Sequence, residues 1–217
     1  MYMKEKVLII VGGNSKLISK LLELDLNNIF KKIIIISHRK FDGGENYEII
    51  QFLEPKLLKK ILEEIILNKS YHYYLVVSNT PPQNADFNNK RTLEWSNATQ
   101  TIINMDSFNE KISKVIFTGS CLPLLPFYNE SFYKELKKKE LITFVNSNLI
   151  NNKKFSYIIL PPLKFKKDIK INLLFDDYEK WALIIKQELN LNNSIIFPMG
   201  IVGFITKILF LIKFKTL

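Results

Sequence analysis

The chain has 217 residues, 47% of them hydrophobic, which is enough to bury the core of one α/β domain and excludes a disordered chain. Its net charge of +10 comes almost wholly from lysine, with Arg39 and Arg91 as the only arginines, and we therefore expect no nucleic-acid partner. One cysteine, Cys121, and two histidines far apart in sequence exclude a disulfide framework and argue against a metal site.

The N-terminal segment MYMKEKVLIIVGG lacks the features of a secretion signal, because its apolar run is short and ends in glycines. We therefore predict a cytoplasmic protein, either free or on the inner face of the membrane.

Short apolar runs alternate with amphipathic segments along most of the chain. In order, the predicted elements are a strand at Lys6–Val11, a helix at Ser15–Leu24, strands at Lys32–Ser37 and Tyr47–Leu53, a helix at Glu54–Leu67, a strand at Tyr73–Ser78, a helix at Lys90–Phe108, a strand at Lys114–Thr118, a helix from about Glu130 to Leu149, a strand at Phe155–Leu160 and a helix near Tyr178–Leu189. This alternation predicts an α/β fold with a doubly wound parallel sheet between two helical layers, a three-layer α/β/α arrangement. Ligands of such sheets bind at the carboxyl ends of the strands.

A glycine turn joins the first predicted strand to the first helix. Glycines feeding a helix N-terminus present backbone N–H groups to a phosphate, although Lys16 and Ile18 stand where a dinucleotide loop usually has further glycines. An ordinary strand–turn–helix connection is the alternative. The candidate cofactor-binding residues of this turn are Gly12, Gly13, Asn14, Ser15, Lys16 and Leu17.

The second predicted strand ends in Ser37, followed by His38 and Arg39. An acid at this place bonds the ribose 2′-OH of NAD, whereas an arginine accommodates the 2′-phosphate of NADP. Ser37 and Arg39 therefore favour NADP as cofactor, with NAD as the alternative, and a solvated basic turn is the non-functional interpretation.

The fifth predicted strand runs into Thr118-Gly119-Ser120, and the next helix carries Tyr133 and Lys137, four residues apart on one face. A serine at a strand end followed by Tyr-x-x-x-Lys resembles the active site of the short-chain dehydrogenases/reductases, which have a Rossmann-type fold. The resemblance extends from about Lys6 to Pro162. It implies that Tyr133 is a general acid, that Lys137 lowers the pKa of Tyr133 and holds the nicotinamide ribose, and that Ser120 orients the substrate oxygen.

Three further positions match the family in part. Asn97 falls where the family has a helical asparagine that holds a water in the proton path, and Asn79 follows the fourth strand. Pro161 stands where a Pro-Gly pair usually follows the sixth strand. The resemblance implies that Asn97 is a fourth catalytic residue and that Asn79, Tyr133, Lys137 and Pro161 contact the cofactor.

The function that the resemblance implies is NAD(P)-dependent reduction of a carbonyl by a homodimer or homotetramer. The loosened glycine turn is similar to that of bacterial family members which act on lipid-linked sugars, so the expected substrate is a sugar or lipid-linked sugar in surface-polysaccharide biosynthesis. The alternative is a non-catalytic nucleotide- or partner-binding module whose cofactor loop has decayed. Ser120 as a turn cap and Tyr133 and Lys137 as a solvated helix face are the corresponding structural interpretations, and Cys121 is expected to be a small core residue.

The C-terminal segment, residues 195–217, is separated in this interpretation from a Rossmann-type domain at residues 1–194. From Gly200 to Phe214 it is nearly all apolar, and Gly200, Gly203, Thr206, Lys207 and Lys213 share one helical sector of roughly 140°. The segment is short for a membrane span. A helix lying in the membrane interface and a helix packed on the core or on a dimer partner are the two predictions that remain open.

Overall fold

The computed structural model describes residues 5–13, 15–37, 47–51, 57–67, 70–78, 98–105, 112–125, 132–147, 152, 154–164 and 176–214. A seven-stranded sheet forms the centre of the molecule. Its strands are β1 (Glu5–Val11), β2 (Lys32–Ser37), β3 (Glu48–Gln51), β4 (Tyr71–Val77), β5 (Ile112–Ser120), β6 (Phe155–Leu160) and β9 (Ile195–Ile196). A separate pair joins β7 (Leu163–Lys164) to β8 (Asp176–Asp177).

The sheet has the strand order β3-β2-β1-β4-β5-β6-β9, and all neighbouring strands are parallel. The chain runs outward from β1 to β3, returns to place β4 beside β1, and then runs outward in the other direction. The order therefore reverses between β1 and β4, which is where doubly wound sheets open a ligand crevice. The predicted doubly wound parallel sheet is confirmed.

Helices cover both faces of the sheet. They are α1 (Lys16–Leu22), α2 (Leu57–Ile66), α3 (Ala98–Ile103), α4 (Phe132–Asn146), α5 (Tyr178–Glu188) and α6 (Gly200–Lys213), with a 3₁₀ turn at Leu122–Leu124. Alternate strand residues enter two separate cores, because successive side chains of a strand point to opposite faces. One core lies under α2, α3, α4 and α6, and the other under α1 and α5. This is the predicted three-layer arrangement.

Several element boundaries differ from the prediction. Strand β5 continues to Ser120, two residues beyond its predicted end, because Gly119 and Ser120 pair with Ile159 and Leu160 of β6. Helix α3 ends at Ile103 instead of Phe108, and β3 is limited to Glu48–Gln51. The short strands β7, β8 and β9 were not predicted, since two residues carry no periodic pattern.

The lysine-rich composition favours lysines on solvated faces, but not all of them lie there. Lys114 of β5 is 2% exposed, and its ammonium donates to a Glu188 carboxylate oxygen at 2.7 Å and to the Leu191 carbonyl at 2.7 Å. Burial lowers the pKa of Lys114, and the bond to Glu188 partly offsets this effect. The same carboxylate accepts from Ser156 at 2.7 Å. This network ties α5 to the sheet and satisfies the buried charges.

The C-terminal helix is packed on the core through its small residues. Gly200, with a φ of +71°, starts α6, and Val202, Gly203, Thr206 and Phe210 are the buried positions. A Cβ at Gly203 would lie 1.5 Å from the Pro198 carbonyl oxygen, so only glycine allows this approach. No helix among the described residues is both long and apolar enough to cross a membrane.

Candidate active site

The glycine turn has a backbone shape that fits a dinucleotide phosphate. Gly12 has a φ of +93°, a conformation that favours glycine, and its N–H donates to the Ile36 carbonyl of β2 at 3.0 Å. Gly13 is buried. Ser15 then caps α1 by accepting from the N–H of Ile18 at 3.1 Å, and its hydroxyl lies 3.3 Å from that of Ser78 at the end of β4. The turn therefore lies at the reversal point of the sheet.

The two residues that replace spaced glycines are accommodated in different ways. Lys16 is exposed at the first position of α1, whereas Ile18 is fully buried in the core below the helix. The glycine usually found at the position of Ile18 serves close helix–strand packing, so a buried isoleucine there alters packing under the helix and not the phosphate face. Leu17 is also buried in this core, so only its backbone is placed to contact a cofactor.

Of the remaining cofactor candidates, Ser37 is the last residue of β2 and is buried, and Pro161 is buried directly after β6. Asn14, Arg39, Asn79 and Asn97 lie outside the described residues. Within the described part of the chain, no group of three or more His, Cys, Asp or Glu side chains could hold a metal ion.

The structure brings Ser120, Tyr133 and Lys137 together at the carboxyl end of β5. The Tyr133 hydroxyl lies near the Ser120 side chain and the Lys137 ammonium, and both act on its pKa. Ser120 also caps the following turn, since its Oγ accepts from the Leu122 N–H at 3.2 Å. The catalytic and the capping interpretations of Ser120 are thus compatible in one geometry.

The net pKa of Tyr133 is raised. Burial raises it, while the Lys137 charge and the Ser120 hydrogen bond act in the opposite direction without overcoming the effect of burial. The expectation that Lys137 lowers this pKa is confirmed for the contribution of Lys137 itself, and burial outweighs that contribution. A tyrosine in this state is protonated at neutral pH, which suits a proton donor.

Lys137 is not on a solvated helix face. It is 2% exposed, and its Nζ donates to Oε2 of Glu140 at 2.7 Å and approaches the Thr118 carbonyl at 3.5 Å. Glu140 is 1% exposed and raises the pKa of Tyr133 through its charge. The opposite charges of Lys137 and Glu140 compensate each other although both side chains are buried. The pair also places a carboxylate beside the candidate proton donor.

Glu140 was missed at the level of sequence, although a signal existed. Tyr133, Lys137 and Glu140 follow the spacing i, i+4 and i+7, which puts all three on one face of α4. Two further tyrosines, Tyr157 and Tyr178, interact electrostatically with Tyr133. Nothing local in sequence predicts them, because β6 and α5 reach the site only through the sheet topology.

Tyr157 occupies a particular place beside the site. Burial raises its pKa well above the usual value, and its hydroxyl has no hydrogen-bond partner in the part of the chain that the structure describes. Its ring lies over Gly119, where an added Cβ would come within 2.2–2.4 Å of the ring atoms. Gly119 is therefore needed for Tyr157 to lie against β5 beside Ser120.

Cys121, next to Ser120, is a core residue, as expected. It is fully buried as a free thiol, and burial raises its pKa to about 12. A thiol in this state is a poor nucleophile.

Solved structures of oxidoreductases and sugar-nucleotide enzymes share this fold. A short-chain dehydrogenase from Burkholderia cenocepacia, solved in complex with NADP, superposes with a TM-score of 0.71 at 13% identity over 98% of this chain and 94% of that chain. A short-chain dehydrogenase family protein from Francisella tularensis gives 0.65 at 14% identity over 89% and 96%. The Bordetella bronchiseptica enzyme WbmG, solved with NAD and UDP, gives 0.63 at 11% identity over 96% and 78%.

These likenesses define the class of fold. The chain has the Rossmann-type fold of the short-chain dehydrogenases and of related NAD-dependent epimerases and dehydratases. No protein-family model and no curated protein sequence matches it. The likeness therefore lies in the three-dimensional fold.

Proposed function

We propose that this chain is an NAD(P)-dependent oxidoreductase of the short-chain dehydrogenase/reductase type that reduces a carbonyl group. The observation that carries the proposal is the proximity of Ser120, Tyr133 and the buried Lys137 at the carboxyl end of β5, one strand away from the reversal point between β1 and β4. Neighbouring structures solved with NADP or NAD support the choice of cofactor.

The backbone of Gly12, Gly13, Asn14 and Ser15 would hold the cofactor pyrophosphate, with Lys16 at the rim and only the backbone of Leu17 contributing. Arg39, beside Ser37, would meet the 2′-phosphate, which is why NADP is favoured over NAD. Asn79 and Pro161 would border the nicotinamide side of the crevice. When bound, the nicotinamide supplies the hydride for carbonyl reduction.

The side chains of α4 and β5 would manage the proton. Tyr133 holds its proton at neutral pH and donates it from the phenol oxygen to the developing alkoxide. Ser120 donates a hydrogen bond to the substrate oxygen and keeps that oxygen beside Tyr133. Lys137 contributes a positive charge that favours release of the Tyr133 proton, and Asn97 would hold a water that reloads it.

We propose a sugar or lipid-linked sugar carbonyl in surface-polysaccharide biosynthesis as substrate. Support comes from the neighbouring enzyme solved with UDP and from the loosened glycine turn. The assembly that we propose is a homodimer or homotetramer in the cytoplasm, or at the inner face of the membrane.

The test is NADPH oxidation, followed by absorbance, with a panel of free, nucleotide-linked and polyprenyl-phosphate-linked keto sugars. Tyr133→Phe should lower the turnover rate by roughly 10²–10⁴-fold, since it removes the proton donor. The matched control is Tyr74→Phe, because Tyr74 packs against the opposite core, far from Ser120. Equal activity of the wild type and Tyr133→Phe on a turned-over substrate would contradict the proposal.

One observation favours the alternative, a non-catalytic nucleotide- or partner-binding module. The Lys137 ammonium is already bonded to Glu140 at 2.7 Å, which compensates the charge that Tyr133 chemistry would use. This alternative predicts dinucleotide or nucleotide binding without turnover of any carbonyl in the panel.

A further inference from the structure

Helix α6 has two apolar faces, and only one of them is packed. Val202, Thr206 and Phe210 are buried against the domain, and the Phe210 ring contacts Phe197 with a centroid distance of 5.4 Å. The Thr206 hydroxyl donates to the Val202 carbonyl at 2.6 Å, so no polar group on this face is left for solvent. The helix is therefore anchored with a fixed rotation about its axis.

The opposite face presents large apolar side chains to solvent. Phe204 is 69% exposed and Ile212 is 65% exposed, and Met199 just before the helix is 65% exposed. The complete exposed set on the helix is Ile201, Phe204, Ile205, Ile208, Leu211 and Ile212. A contiguous apolar patch of this kind marks an interaction surface, whereas single exposed apolar residues are ordinary.

The charges around the patch indicate what covers it. At about 100° per residue, Lys207 lies at one edge of the exposed face, and Lys213 lies on the last turn, on the side of the buried face. Both lysines are exposed, and α6 contains no acidic residue. Long lysine side chains at the edges of an apolar face reach outward to anionic groups while the apolar residues are buried.

A second copy of the chain fits this patch less well. Two α6 helices packed face to face would bring the Lys207 side chains of both copies to the edges of the contact without an acidic partner on either helix. A bilayer with anionic headgroups supplies the negative charge that α6 lacks. The 14 residues of α6 span about 21 Å, too short for the ~30 Å hydrocarbon core but suited to a helix lying in the interface.

We infer that the outer face of α6 docks on the surface of an anionic lipid bilayer, with the helix axis in the plane of the interface. The inner face of α6 packs on the 3₁₀ turn Leu122–Leu124, which directly follows Ser120 and Cys121. Docking therefore brings the carboxyl end of β5 close to the lipid headgroups. The inference rests on α6 alone and does not require that the proposed oxidoreductase function is correct.

The test is co-sedimentation of the full chain with two kinds of vesicle. One contains phosphatidylcholine alone, and the other contains about 30% phosphatidylglycerol in phosphatidylcholine, about a physiological anionic fraction. We expect binding to the anionic vesicles that weakens as salt is raised. Lys207→Gln combined with Lys213→Gln should weaken that binding by roughly 30-fold, at about fivefold per lysine near the surface. Phe204→Gln combined with Ile208→Gln should abolish detectable binding.

The matched control is Leu67→Gln combined with Leu183→Gln. These leucines are 66% and 47% exposed on α2 and α5, away from the patch, so their removal should leave vesicle binding unchanged. Every substituted residue is exposed, so each variant should retain the fold, and thermal unfolding of each variant checks this. Sedimentation equilibrium of the same variants measures whether the chain forms a dimer in solution.

Three results would overturn the inference. The first is failure of the wild-type chain to bind anionic vesicles. The second is a dimer in solution that Phe204→Gln with Ile208→Gln dissociates, because the patch would then be covered by a second copy. Binding that the leucine control weakens as strongly as the α6 variant would likewise remove α6 as the docking surface.

Discussion

The buried Lys137–Glu140 pair yields a quantitative prediction for stability. The two side chains are 2% and 1% exposed and are joined at 2.7 Å. Lys137→Met removes the ammonium that bonds the buried Glu140 carboxylate, and breaking a buried ion pair from one side typically costs about 3–5 kcal/mol in free energy of unfolding. For a chain of this size, each kcal/mol shifts Tm by about 2–4 °C, so the expected drop is roughly 6–20 °C.

The double variant Lys137→Met, Glu140→Leu separates the charge effect from packing. Replacing both partners of a buried pair by apolar residues of similar volume is typically neutral or stabilising by about 1–4 kcal/mol. We therefore expect the double variant to recover the stability that the single variant loses. It should nevertheless lack reductase activity, because the Lys137 ammonium is absent.

An exposed pair on the same helix provides the matched control. Lys138 and Glu135 lie 3.2 Å apart but are 37% and 32% exposed, so Lys138→Met should cost at most about 1 kcal/mol. The assay is thermal and urea unfolding monitored by circular dichroism. Equal losses for Lys137→Met and Lys138→Met, or a double variant no more stable than Lys137→Met, would refute the reasoning.

Three further predictions concern the site. Tyr133 should ionise above pH 10, as the raised pKa requires, in a wild-type minus Tyr133→Phe ultraviolet titration, and ionisation below pH 9 would contradict it. Gly12→Ala should lower the free energy of unfolding in urea by about 1–2 kcal/mol and weaken dinucleotide binding, because Gly12 has a φ of +93°. Unchanged stability would show that the turn is not strained. Cys121, whose pKa is about 12, should react with a thiol reagent only after unfolding, and rapid labelling of the folded chain would disprove its burial.

The strands of the sheet could be predicted from the sequence because they are buried on both faces. Runs such as Lys6–Val11 and Phe155–Leu160 are continuous apolar segments, and their alternation with helices admits few topologies. The sequence also predicts that Ser120, Tyr133 and Lys137 lie near one another, since a strand end and the following helix are neighbours in space.

What the sequence could not predict depends on contacts between distant segments. The burial of Lys114 could not be predicted, because the carboxylate that compensates its charge belongs to Glu188, 74 residues later. Tyr178 reaches Tyr133 only because α5 returns to the carboxyl ends of the strands.

The orientation of α6 was also beyond the sequence. Periodicity identifies its apolar and small-residue faces but not which one packs inward. The close approach of Gly203 to Pro198 and the burial of Val202, Thr206 and Phe210 show that the packed face combines small and large apolar residues.

The central claim is that the turn at Gly12 holds a nicotinamide dinucleotide beside Tyr133. The most direct measurement is a binding titration of NADPH and NADH against the wild type, Gly12→Ala, Lys16→Gly and Tyr133→Phe, followed by cofactor fluorescence. The account predicts saturable binding by the wild type, tighter for NADPH, weakened in Gly12→Ala and retained in Tyr133→Phe. Absence of binding by the wild type, with binding gained in Lys16→Gly, would contradict the account and favour a module whose cofactor loop has been lost.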